Sequence, residues 1–457
     1  MNMARMLERF SMRLLPNGFF LAAFAVLLLC PVQPAAAQPA KTFQFVLQNG
    51  LSVVVVPDHR APVVTQMVVY KVGAADDPPG LSGLAHFIQQ MMFRGTRANQ
   101  NGAFSALVAK SGGDDNAFTT QDYTVFTEQI ARDKLRLVAH LEADRMAGLD
   151  FSDNAVMAER DAVEQERRLR LDDDPRALLQ EQAEAALYLT HPYARPVIGW
   201  PDEIRHIGRS EAEDFYRRHY APNNAILIVA GDVTPEEVRS AAEAEYGPVQ
   251  PHELGARVDY AQPRRLGENR IVVVRKDAKA PLLLRLYRVE SYAEAAPGQA
   301  EALEVLARLL GGDSTSALYR KLVLERRLAS DVSASYGGYA RDSGQFSITA
   351  SPRPGVSPET LERAIDEVIA SCQHRPPAAA ELARAKAQLV AGATFRRDSP
   401  FEMALAYARA LAVGLTAFDV QQWPARIQAV KAVDVETAAA DSLDPKESVT
   451  ATLLPRP

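Results

Sequence analysis

The sequence predicts an α+β protein built from one mixed-sheet unit used twice. Three observations carry this. Short β-rich runs alternate with amphipathic helical segments throughout. The run strand, strand, helix, glycine occurs once in each half. A stretch punctuated by Pro and Gly lies between the halves, over 249–269.

In the first half, Leu51–Pro57 (LSVVVVP) and Val63–Val72 (VVTQMVVYKV) are β-rich and separated by a charged turn. Gly83–Met92 follows as a helix. Asn116–Ile130 alternates and is rich in Thr, Tyr and Phe, which predicts a strand. Arg132–Met146 and Asn154–Arg170 show helical periodicity with many charges. Ala225–Ala230 (AILIVA) predicts a buried strand, after which Thr234 caps a helix opening Pro235-Glu236-Glu237. In the second half, Ile271–Val274 and Leu282–Val289 predict strands. Gln299–Leu310 predicts a helix ending at Gly311-Gly312, and Gln345–Ala350 another alternating strand. Repetition at this scale indicates a duplicated domain, not a solenoid. The boundaries it sets are 38–250, a linker 251–269, and 270–457.

The first 37 residues read as an export signal. Arg5, Arg9 and Arg13 precede the apolar run Phe19–Leu29, and Ala35-Ala36-Ala37 offers a cleavage site before Gln38. The expected location is therefore periplasmic or secreted. Cys30 lies in that run and Cys372 is alone, so the mature chain is expected to hold no internal disulfide. Beyond residue 40 no apolar run is long enough to span a bilayer. The chain has 457 residues, is 47% hydrophobic and carries a net charge of -6 with both signs dispersed. It has no basic stripe, so nucleic acid is not an expected partner.

Leu84–Phe93 reads LAHFIQQMMF, which puts His86, Gln89 and Gln90 at i, i+3 and i+4 on one helix face. A single histidine there is more often structural than a ligand. Its surroundings are more specific. The run VGAADDPPGLSGLAHFIQQMMFRGT from Val72 resembles the signature of the pitrilysin/insulinase metallopeptidases, whose zinc motif is H-x-x-E-H. GGDDNAFTTQDYT (Gly112–Thr124), ERDAVEQERR (Glu159–Arg168), HPYARPVIGW (His191–Trp200) and YAPNNAILIVAGD (Tyr220–Asp232) are similar to further family blocks, in family order.

The resemblance implies two homologous domains of the pitrilysin/mitochondrial-processing-peptidase type, each a mixed β-sheet packed with helices. It also implies a zinc site. His86 matches the first histidine ligand, Glu166 the third ligand, and Glu159 the supporting acid. Gln89 stands at the position of the base glutamate, and Gln90 at that of the second histidine. An amide has no protonation equilibrium near neutral pH, so Gln89 cannot shuttle a proton. Its carbonyl is a neutral, weak zinc ligand, so Gln90 does not replace imidazole. The remaining histidines show no spacing that restores the pair. Zinc is therefore expected to be absent or weakly held. Asn116, Ala117 and Phe118 match the family's exposed edge strand, which takes up an extended peptide; the other reading is an ordinary paired strand. The Arg and Tyr that family members place in the second half are replaced by Val323 and Ser330.

These residues predict a non-catalytic homologue that binds peptides or serves as accessory subunit to a zinc peptidase. The alternative is an active zinc metalloendopeptidase with an altered site. Short family members dimerise to close a chamber, so a dimer is expected, including a hetero-oligomer with a full-motif relative.

Overall fold

The computed structural model describes residues 42–100, 102–255, 257–263 and 267–456. The export segment and Cys30 lie outside the described residues.

Among the described residues the strands form one six-stranded and one five-stranded sheet. The first contains β1 (Phe43–Val46), β2 (Ser52–Pro57), β3 (Val63–Tyr70), β4 (Asp114–Thr119), β5 (Thr124–Ala131) and β6 (Ala225–Gly231), in the order β1-β2-β6-β3-β5-β4. The second contains β7 (Asn269–Arg275), β8 (Leu282–Val289), β9 (Ala329–Gly337), β10 (Gly344–Pro352) and β11 (Ser448–Pro455), in the order β7-β11-β8-β10-β9. With β1 set aside, the two orders coincide strand for strand. Each has a single parallel pair, β2 with β6 and β7 with β11. The repeat read in the sequence is thus a repeat of topology.

The alternating stretch Asn116–Ile130 is not one strand. It is the hairpin β4–β5. Thr120 Oγ1 accepts from the backbone N–H groups of Asp122 and Tyr123, and Thr120 N–H donates to the Tyr123 carbonyl at 2.8 Å. This threonine turn competes with the ladder and reverses the chain.

Helices α1 (Leu84–Arg94), α2 (Ala103–Lys110), α3 (Leu135–Gly148) and α4 (Asp153–Arg167) follow; α1 and α4 are amphipathic, whereas α3 buries Glu142 and Arg145 along with its apolar residues. Beyond α4 the chain runs on as a π-helical turn, Arg168–Asp172. Helices α5 (Pro175–Leu187), α6 (Arg209–His219) and α7 (Pro235–Glu245), with a single α-helical turn at Pro201–Ile204, also belong to the first half. The second half holds α8 (Gln299–Gly311), α9 (Pro358–His374), α10 (Ala379–Arg396), α11 (Pro400–Ala412), α12 (Ala417–Ala429) and α13 (Ala432–Ser442). Among the described residues no single helix is long and apolar enough to cross a membrane.

Strands β2 and β6 are apolar along most of their length because both faces of their sheet are covered. In β2, Val53 and Val55 point into the core beneath α1 and α3, while Val54 and Val56 meet the opposite face. That opposite face is closed by α11, from the other half of the chain: Met403, Ala404, Tyr407 and Ala408 pack on Met67, Val69, Ile226 and Ile228. The reverse also holds. Leu179, Ala183 and Leu187 of α5 pack on Leu282, Leu284, Leu286, Val449 and Ala451 of the second sheet. Each half lends one helix to the other.

Polar contacts join the halves at the hairpin tips. Tyr193 Oη donates to both carboxyl oxygens of Asp122, at 2.6 and 2.7 Å, and the Arg341 N–H donates to Oδ2 at 3.0 Å. His191 Nε2 lies 2.9 Å from Asp342 Oδ2, which also accepts from Arg341 Nη2 at 2.9 Å.

Candidate functional site

Helix α1 is held at its start. Gly83, its N-cap, has φ of +91°, a backbone conformation that glycine adopts without strain. A Cβ there would lie 2.3 Å from the Ile198 carbonyl oxygen, and one on Gly199 would lie 2.8 Å from the Gly83 Cα. The two backbone segments touch because neither glycine has a side chain. The N-cap has no side chain to offer, and Asp77 supplies the acceptors. Its Oδ2 accepts from Gly83 N–H at 2.7 Å and its Oδ1 from Ala85 N–H at 2.8 Å. This places a carboxyl group at the positive end of the helix dipole, where burial raises its pKa to about 8 against the lowering effect of the two backbone hydrogen bonds.

From that start, α1 packs against α4 and α6 and beside β4, burying Leu84, Phe87, Ile88, Met91 and Met92. His86 and Gln89 are also buried. His86, Gln90 and Glu166 come together. His86 Nε2 is 3.8 Å from Glu166 Oε2. The Gln90 amide nitrogen lies between them, donating to Glu166 Oε2 at 3.1 Å and standing 3.4 Å from His86 Nε2. As donor to both, it fixes the His86 proton on Nδ1. That Nδ1 is buried without a hydrogen-bond partner. Burial, reinforced by the charge of Arg170, lowers the His86 pKa to about 4. The ring is neutral at neutral pH.

The other positions point elsewhere. Glu159 is buried on α4, where Arg94 Nε donates to its Oε2. Arg170 Nη1 holds Glu166 Oε1 at 3.0 Å. Gln89 Oε1 accepts from Thr119 Oγ1 at 3.1 Å, tying the base position to the end of β4. Asn116, Ala117 and Phe118 lie on β4, which among the described residues pairs only with β5 and forms the edge of its sheet. Ala117 N–H donates to Asn116 Oδ1 at 2.8 Å. Phe118 leans edge-on against Tyr123, ring centroids 6.3 Å apart. A cavity of about 370 Å³ opens beside His86 and Glu166, lined further by Leu171, Gln180, Glu184 and Arg195. In the second half, Val323 is buried in the core, and Ser330 Oγ donates to the Ser351 carbonyl at the start of β9.

This donor set does not fit a zinc ion. Zinc needs three protein ligands and an open position. Two donors face each other here, and an amide N–H group sits between them. Among the described residues, no three His, Cys, Asp or Glu side chains are grouped to hold a metal. The hydrogen bonds of Gln90 join the two residues that a metal would otherwise bridge.

Arg94, Thr119, Arg170 and Asp77 were not legible as site residues. Arg94 stands eight residues after His86, at helical spacing, but only the packing of α4 shows what it meets.

Comparison with known proteins identifies the family. Residues 52–200 match the model of the insulinase family (peptidase family M16), and residues 206–389 match that of the peptidase M16 inactive domain. The zinc protease PqqE of Helicobacter pylori is 30% identical over 343 residues, 74% of this chain and 76% of that protein. The crystal structure of a protease from Helicobacter pylori superposes with a TM-score of 0.85 at 27% identity, covering 92% of this chain and all of that one. The periplasmic protease PqqL of Escherichia coli shares the fold, with a TM-score of 0.76 at 17% identity; this chain spans 48% of its length. With two consecutive family models matched in order and a relative aligned over most of its length, the chain belongs to the insulinase (M16) family of peptidases.

Proposed function

We propose that this protein is a non-catalytic member of its family, which binds peptides or acts as accessory subunit to a zinc peptidase. The observation that carries the reading is the Gln90 amide between His86 and Glu166. It supplies hydrogen bonds where the chemistry needs a third ligand, and Gln89 beside it cannot accept a proton. The residual metal positions are His86 and Glu166, with Gln90 at the lost histidine, Gln89 at the lost base and Glu159 as the former supporting acid. Peptide contact falls to Asn116, Ala117 and Phe118 on the β4 edge, by strand addition. In this reading residues 1–37 direct export to the periplasm or beyond. Units 38–250 and 270–457, joined by 251–269, form half of a dimeric chamber whose other half is a second copy or a full-motif relative. The fold match to a chain about twice as long favours such a pairing.

The zinc protease name of the Helicobacter pylori relative favours a second reading, an active zinc metalloendopeptidase with an altered site. One experiment separates the two: zinc content of the purified mature chain, measured with cleavage of an unstructured peptide. Substoichiometric zinc, no cleavage alone and cleavage when a full-motif relative is added support the accessory role. One tightly held zinc per chain and chelator-sensitive cleavage by the chain alone overturn it.

A further inference from the structure

Among the described residues the strands at sheet edges are β1, β4, β7 and β9. An open edge is a template for another strand, and proteins blunt it with short strands or polar side chains. β1 has only four residues, β4 opens with Asp114 and Asp115, and β9 exposes Asp331, Ser333 and Ser335. β7 has no such guard. It runs for seven residues, and its centre, Ile271–Val274, is aliphatic throughout.

The two faces of β7 differ. Ile271 and Val273 pack on the α5 side of the sheet. Val272 and Val274 point the other way and are 62% and 51% exposed. In the first unit the strand at this place is β2, and it is covered twice. β1 pairs along its outer edge, and Val53 and Val55 share a core with Val238 of α7. The first unit thus shows what such an edge takes, an antiparallel strand.

The backbone of β7 is set for the same kind of partner. The Arg275 carbonyl accepts from Arg456 N–H at 2.8 Å, so it points to β11. Direction alternates along a strand, so the N–H and C=O groups of Arg270, Val272 and Val274 point out from the sheet edge.

Charge identifies the partner. Glu268 and Lys276 flank the strand, equally far from Val272 and both exposed. Lys276 has no ion pair among the described residues. Lay β7 antiparallel on β7 of a second copy, with Val272 opposite Val272. Glu268 then faces Lys276 at both ends, Arg270 faces Val274, and Ile271 faces Val273. A register two residues away loses both ion pairs, and in one direction sets Arg270 against Lys276. The strand is complementary to itself in one register.

We infer that β7 is a self-pairing edge. Two copies of the chain join along it about a two-fold axis at Val272, which makes one continuous sheet with five strands from each copy. About six backbone hydrogen bonds form, and the exposed valines of the two copies meet. The contact uses neither the β4 edge nor the His86 helix, and does not rest on the peptide-binding reading.

The mature full chain is examined by sedimentation velocity at up to about 100 μM, where a dimer is expected. Val272→Lys sets two ammonium groups face to face across the axis and should weaken dimerisation about tenfold or more, with circular dichroism unchanged. Glu268→Lys should weaken it severalfold, and adding Lys276→Glu should restore it. In a Cys372→Ser background, Val272→Cys should oxidise to a disulfide-linked dimer. Val274→Cys should not, because the two copies of that residue lie about 14 Å apart in this register. A parent chain that stays monomeric overturns the inference, while the accessory-subunit reading stands. A dimer that survives Val272→Lys also overturns it, and points to the chamber contact instead. Equal cross-linking through Val274→Cys, or no rescue by the double charge reversal, overturns the register.

Discussion

The side-chain amide of Gln90 donates a hydrogen bond to Glu166 Oε2 at 3.1 Å, so the residue at the lost ligand position is bonded to the one that remains. Restoring chemistry there requires removing that bond as well as adding a ligand. Gln90→His is expected to do both, and to give stoichiometric zinc by metal analysis where the parent holds less. Adding Gln89→Glu should then raise kcat/KM on an unstructured peptide by about 10²–10⁴-fold over the single variant, the usual worth of a general base. A double variant that binds zinc without cleaving would place the defect beyond these two residues.

Exchanged helices make the two halves one cooperative unit. Leu179 of α5 is fully buried against the second sheet. Leu179→Ala should cost about 2–5 kcal/mol. The protein has one tryptophan in each half, Trp200 and Trp423. Single-tryptophan variants should show both halves unfolding at the same, lowered denaturant midpoint. Separate midpoints would disprove the coupling.

Acid should loosen the contact between the hairpin tips. Burial opposes ionisation of Asp342, but hydrogen bonds from His191 and Arg341 overcome it and bring its pKa from 3.8 to about 2. A carboxyl whose pKa is lowered by folding stabilises the folded state above its unfolded value. That stabilisation, on the order of 2 kcal/mol, is present above pH ~4 and is lost as pH falls towards 2. Asp342→Asn should therefore be less stable than the parent in denaturant at neutral pH. The difference should shrink as the titration is repeated at successively lower pH across that window.

At the start of α1, Asp77→Ala leaves two buried N–H groups without acceptors and should cost about 2–4 kcal/mol. Asp77→Asn retains one acceptor oxygen and should cost less. Thermal melts of the two variants check the order.

The strands and the site helix were legible because their signals are local. Val53 to Val56 form an unbroken apolar run, which reads as a strand covered on both faces. His86 and Gln90 share a helix face by spacing alone. The Thr120 turn was missed because Thr and Tyr favour strands on both sides of it, and alternation continues through Asp122. Which sheet α5 and α11 would cover could not be read either. Periodicity shows that a helix has a face to bury, and is silent on where. The same limit hid the partners of Glu159 and Gln89. Each meets a side chain from another element, Arg94 on α1 and Thr119 on β4, brought near only by packing.

The exchange of α5 and α11 has a mechanical consequence. Each half is clasped by a piece of the other, so the backbone between them is not what keeps them together. A protease that cuts the connecting segment would sever the polypeptide and leave the particle whole: two fragments on a denaturing gel, one species on a sizing column, parted only by unfolding.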